Sequence, residues 1–251
     1  MQDNEPYIIT KKRTVRKVYW GRIVAVTVVL SLIAVGVILW FSRAAGKITV
    51  DAREFWFVSM GEYSELSEAS SRAEAVVNSG GAGYLHGDEK YNVAASCYAN
   101  KSDAVSVKER LTGEGETASV FSVSCPKIAI NKPKKNATLL KDLLARPAAL
   151  FDELYSISVK TDTKEISEAA AQYAALKMSV ACEEYARECK ALDAAASDYL
   201  SALFTSVGAS LDVLARSDGN IPQAVKYALC ETAVKICKET NEFANKLKNM
   251  S

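Results

Sequence analysis

The sequence is poor in the residues from which active centres are built. It has one histidine, His86, among 251 residues, and no spaced Cys–His array, so a metal cluster resting on several imidazoles is excluded. His86 sits in a turn beside Asp88 and Glu89 and reads as a solvated residue. No nucleophile elbow, phosphate-cradling glycine loop or zinc-protease helix occurs. The adjacent carboxylates Glu183-Glu184 and Asp152-Glu153 diverge around a helix and cannot share a substrate. Charge of one sign is also missing. Lys and Arg number 31 against 30 Asp and Glu, a formal net charge of +1, which excludes a polycation made for nucleic acid. The expectation is a protein that is not an enzyme and has no cofactor, no metal and no nucleic-acid partner.

What is there is unevenly placed. Residues 1–22 carry six basic residues against Asp3 and Glu5, a net +4 that leaves −3 for the rest. Residues 23–41 (IVAVTVVLSLIAVGVILWF) contain no charge. As a helix they would extend about 28 Å at ~1.5 Å per residue, close to the ~30 Å core of a bilayer. Tyr19 and Trp20 at one end, and Trp40 and Phe41 at the other, suit its two interfaces. The run exceeds the apolar region of a cleaved signal peptide, and Ser42-Arg43-Ala44 is a poor cleavage site. A single-pass transmembrane helix in the cytoplasmic membrane is expected, with basic residues 1–22 cytoplasmic and the bulk of the chain extracytoplasmic.

Beyond a juxtamembrane linker (42–53), residues 54–130 alternate apolar strands with helical stretches, in the order β-α-β-β-α-β. Glu54–Tyr63, a short strand near 82–85, Lys90–Tyr98 and Ala118–Ser124 read as strands; residues 66–78 and 103–111 read as helices. Phe57–Tyr63 and Asn92–Tyr98 lie 35 residues apart, and each leads into a turn and an amphipathic helix. Two such halves pair into a four-stranded antiparallel sheet of ferredoxin-like type. A polar, Pro-containing linker (131–137) then introduces residues 138–251, which are rich in helix formers and read as an all-α bundle. The fold class expected is therefore α+β: a transmembrane helix, an α/β sheet domain, and a separate helical domain.

Two segments of the sheet domain resemble a known family. Phe57-Val58-Ser59-Met60-Gly61-Glu62-Tyr63 is similar to the opening strand of SPOR domains, where aromatic–Val–Gln–Val–Gly–Ser–Phe is usual. Tyr91-Asn92-Val93-Ala94-Ala95-Ser96-Cys97-Tyr98 resembles their second signature, Tyr–Arg–Val–x–Val–Gly–Pro–Phe, with Ser96-Cys97 in place of Gly-Pro. The resemblance covers roughly residues 54–126. It implies a protein outside the cytoplasm that binds septal peptidoglycan glycan strands stripped of their stem peptides, in division or sporulation. It also implies a binding surface on the open face of the sheet, with Ser59 where the family carries Gln.

Strand alternation gives that face its residues. If Val58 and Met60 pack against the helices, Phe55, Phe57 and Ser59 point the other way, with Asn92 and Ala94 from the neighbouring strand. Aromatic rings beside short polar groups suit a sugar. The alternative is that the helical domain covers these aromatics.

In residues 138–251, Pro147 is expected to bend or divide the first helix. Asp162-Thr163-Lys164-Glu165 resembles a capping box that opens a long helix running to residue 216. Asn220 and Pro222 suit the start of the last helix. Cys182 and Cys189, like Cys230 and Cys237, are seven apart, about 10.5 Å along a helix and too far to bond within the pair. Bonds between the pairs require a break near Asp193 or Gly208. Cys97–Cys125 is a further candidate, and small buried residues are the competing reading. A non-catalytic binder of septal glycan is the leading expectation. The other is a membrane-tethered scaffold whose helical domain binds a protein partner, the sheet being structural.

Overall fold

Aromatic and β-branched residues drive the longest strand among the described residues. In the computed structural model, which describes residues 46–131, 133 and 135–250, this strand is β2 (Arg53–Tyr63), preceded by β1 (Lys47–Val50). Helix α1 (Leu66–Asn78), β3 (Tyr84–His86), β4 (Tyr91–Tyr98), α2 (Lys101–Gly113) and β5 (Ser119–Cys125) follow. The four-stranded sheet has the order β3-β4-β2-β5, antiparallel throughout. Between Ser59 and Glu62 the β2–β4 register shifts, and Gly61 there has φ +142°. A β-carbon at Gly61 would lie 2.7 Å from Tyr63 Oη, so the bulge depends on glycine. Residues 47–50, expected as linker, instead pair with β6 (Ile128–Asn131) in a separate two-stranded ribbon.

Four long helices complete the chain: α3 (Ala137–Asp162), α4 (Glu168–Glu188), α5 (Ala194–Ala215) and α6 (Ile221–Met250). Helix α3 runs through Pro147, which is buried within it. The expected capping box at 162–165 is instead the end of α3, where Lys164 turns at φ +60°. Ser167 caps α4, accepting from the Ala170 N–H at 3.2 Å. The long helix is broken by a 3-10 turn at Cys189–Ala191, which folds α4 back on α5. Gly208 permits that approach: a β-carbon there would sit 3.0 Å from Cys182 Cβ, and Ser179 Oγ donates to the Gly208 carbonyl at 3.0 Å. Asn220 Oδ1 accepts from the Gln223 N–H at the start of α6.

The expected architecture is corrected in two respects. No helix among the described residues is long and apolar enough to cross a membrane; the segment assigned to the membrane, 23–41, lies outside them, as does the basic tail 1–22. Nor do the helices form a separate domain, because Gly46–Ser251 is one compact unit. A single hydrophobic core runs from Phe55, Phe57 and Cys97 on the sheet into Leu143, Phe151, Leu203 and Leu229 of the helices. Phe55 and Phe151 rings meet at 4.4 Å. The Arg53 guanidinium lies over both and pairs with Asp152. Each large apolar side chain so buried contributes about 1.5–3 kcal/mol; α3 and α6 lie against the strands, and α4 and α5 pack on those two helices and on each other.

A disulfide joins Cys125 of β5 to Cys237 of α6 across 112 residues. Closing a loop of that size in the unfolded chain typically stabilises the fold by about 2–4 kcal/mol. Cys97, Cys182, Cys189 and Cys230 are free and buried.

Candidate functional site

The residues expected to bind sugar are placed by the structure on one face of the sheet, but that face is covered. Phe55, Phe57, Ser59 and Ala94 are buried, and Asn92 is half-buried. The alternation was sound: Met60 does pack on the opposite side, with Ala69, Ala73 and Val76 of α1. What alternation could not say is that a second layer of helices closes the other side. Phe57 stacks on Phe121 at 5.0 Å and faces His86 at 6.2 Å. The Ser59 hydroxyl is turned into the bulge, 3.0 Å from the Gly61 carbonyl and 3.3 Å from Asn92 Oδ1. Phe55, Phe57, Ser59 and Ala94 are core and Asn92 lies at its edge, and the surface assigned to them is corrected accordingly.

The concave surface lies on the other side of the same sheet. Helix α1 buries three residues against it, whereas α2 buries only Ala104, so the two helices do not close over β4. Between them is a cleft of about 310 Å³. Its floor is Met60, Ala95, Ser96 and Tyr98, and its apolar walls are Val76, Val107 and Leu111. Ser96 Oγ donates to Tyr98 Oη at 2.9 Å. Burial, the largest cause, pushes the Tyr98 phenol above its ordinary pKa, so it stays neutral.

The rim is charged but balanced. Arg72 pairs with Glu116 at 2.7 Å, Arg110 with Glu114 at 3.1 Å, and Lys226 of α6 with Asp162 at the end of α3 at 2.9 Å. Arg72 Nε also donates to the Met60 carbonyl at 3.2 Å, and Lys226 to that of Gly80 at 2.9 Å. Three cations face three carboxylates, so the rim is neutral as a whole, and a charged group on a ligand is met only where one of these pairs opens. Donors and acceptors around an apolar, aromatic-backed floor suit a hydroxylated ring with one apolar face.

Elsewhere the free thiols point inward. Burial pushes the Cys182 thiol to about 12 and the Cys189 thiol to about 11, so neither forms the thiolate needed for nucleophilic or metal chemistry at neutral pH. Among the described residues, no group of three or more His, Cys, Asp or Glu side chains is placed to hold a metal ion. A shallow groove between α5 and α6 exposes Val213 and Tyr227.

The cleft was missed in the sequence although its signals were present. Ser96 and Tyr98 put polar groups on the strand face that Met60 assigns to the helices, and α2 offers few large apolar residues to cover them. No family model, curated protein or solved structure matches the chain.

Proposed function

We propose that the chain is a non-catalytic protein of the cell envelope that binds peptidoglycan glycan strands freed of their stem peptides, and that it holds them in the cleft between α1 and α2. The observation that carries this reading is the cleft's combination of a Tyr98–Ser96–Met60 floor with a charge-balanced rim. The SPOR resemblance supplies the ligand class; the covered sheet face moves the site to the opposite side. The Cys125–Cys237 disulfide supports work in an oxidising compartment, outside the cytoplasm. Opening the covered face is a poor alternative. It would return Phe55, Phe57 and much of the shared core to water, at a cost exceeding the roughly 5–15 kcal/mol stability of a typical domain.

Val107→Trp tests the site by filling the cleft from its rim. Binding to isolated, peptide-free glycan strands should fall at least about tenfold, a change of ~1.4 kcal/mol, with the thermal melt unchanged. Equal binding by this variant and the parent places the site elsewhere. A second reading, an assembly scaffold for a protein partner, is favoured by the exposed Val213 and Tyr227 of the α5–α6 groove. It becomes the better one if the parent binds no glycan.

A further inference from the structure

The three rim cations differ in how firmly they are held. Arg72 spans from α1 to Glu116 and is also tied to the Met60 carbonyl; its side chain is 27% exposed. Lys226 is 19% exposed and joins Asp162 to the Gly80 carbonyl. Both fasten one part of the fold to another. Among the described residues, Arg110 pairs with Glu114 alone, one turn along the same helix, and the two side chains are 63% and 54% exposed. Exposed pairs of this spacing add almost nothing to stability. Arg110 therefore exchanges partners at almost no cost, and Glu114 is left in water. Arg110 lines the same cleft as Ser96 and Tyr98.

We propose that Arg110 determines the specificity of the cleft: it leaves Glu114 and takes a carboxylate carried by the bound sugar. This rests on the glycan reading above and sharpens it. A stem peptide is joined to the strand through an amide, and its hydrolytic removal leaves a free carboxylate at that point. A guanidinium fork accepts a carboxylate with two parallel charge-assisted hydrogen bonds, whereas an amide offers it one neutral acceptor and a chain that must pass between α1 and α2. Arg110 thus distinguishes a bare strand from a decorated one, while Ser96, Tyr98 and the apolar walls hold the ring.

The test uses the full chain, with two ligands and three proteins. The ligands are peptide-free glycan strands, and the same strands with their carboxylates converted to methylamides. The parent should bind the first about tenfold more tightly, the loss expected of one charge-assisted pair. Arg110→Gln should bind both at the lower affinity, and Arg110→Lys should recover part of the preference; thermal melts of all three should coincide. A parent that binds both ligands equally, or an Arg110→Gln variant that keeps the preference, overturns the role of Arg110 and leaves the cleft reading intact. A parent that binds neither ligand overturns both.

Discussion

The two faces of the sheet carry similar sequence and meet different fates. One presents Phe55, Phe57 and Ala94 and is sealed by α3 and α6 into the core they share with α4 and α5. The other presents Met60, Ser96 and Tyr98 and is left open between α1 and α2. The face carrying the two phenylalanines of β2 is the closed one, because large rings without a polar group are what a second layer can bury at most gain. The face with a hydroxyl pair at its centre stays reachable, because burying Ser96 and Tyr98 under a close-packed helix would strand polar groups. An aromatic on a strand is thus a weaker sign of a ligand surface than a polar pair that the nearest helix declines to cover.

The largest effect expected is on chain dissection. Residues 46–131 and 137–251 produced separately should each fail to give a sharp unfolding transition, because the core they share cannot be completed in either piece. If residues 137–251 melt cooperatively alone, the helices need no sheet and the contrast between the faces loses its cause. Next comes Phe57→Ala. A fully buried Phe truncated in a core costs about 3–5 kcal/mol, which a shift in urea midpoint reads directly. On an open face the same change would fall within about 0.5 kcal/mol.

The sequence made the sheet legible because its signals are local. Strand alternation, the helix-ending glycines and the βα repeat placed β2, α1, β4, α2 and β5 nearly where they stand. The Cys125–Cys237 bond was not legible: it depends on α6 lying against β5, a tertiary fact that no spacing encodes. The two-domain reading failed for the same reason. A polar linker at 131–137 marks a change of secondary structure, and nothing in its composition says whether the chain turns away from the sheet or back onto it. The break in the long helix was half legible. Asp193 was one of two candidate positions, and the turn at Cys189–Ala191 lies just before it. Of the candidate site, the strand residues were assigned to their proper faces, but the choice between faces required knowing where α3 and α6 pack.

The smallest effect expected concerns His86, which marks the edge of the sealed face. Its ring lies nearly parallel to those of Phe121 at 5.4 Å and Phe57 at 6.2 Å. Burial there lowers its pKa, and the Asp88 carboxylate opposes the shift only in part. The fold therefore favours neutral imidazole, while the unfolded chain takes up a proton near the ordinary value of about 6.5. Above that pH neither state binds the proton and His86 contributes no slope. As pH falls through 6.5 towards the lowered folded value, the unfolded state binds more protons and stability is lost; once both states are protonated the loss is complete. His86→Phe keeps an aromatic ring in the stack and removes the titration. Urea midpoints of parent and variant should run parallel from pH 8 to about 7 and diverge below about 6.5, the parent falling faster, since carboxylate effects common to both cancel in the difference. A difference that stays flat to pH 5 would mean that His86 charges as freely in the fold as in water, and that the edge of this face is open to solvent after all.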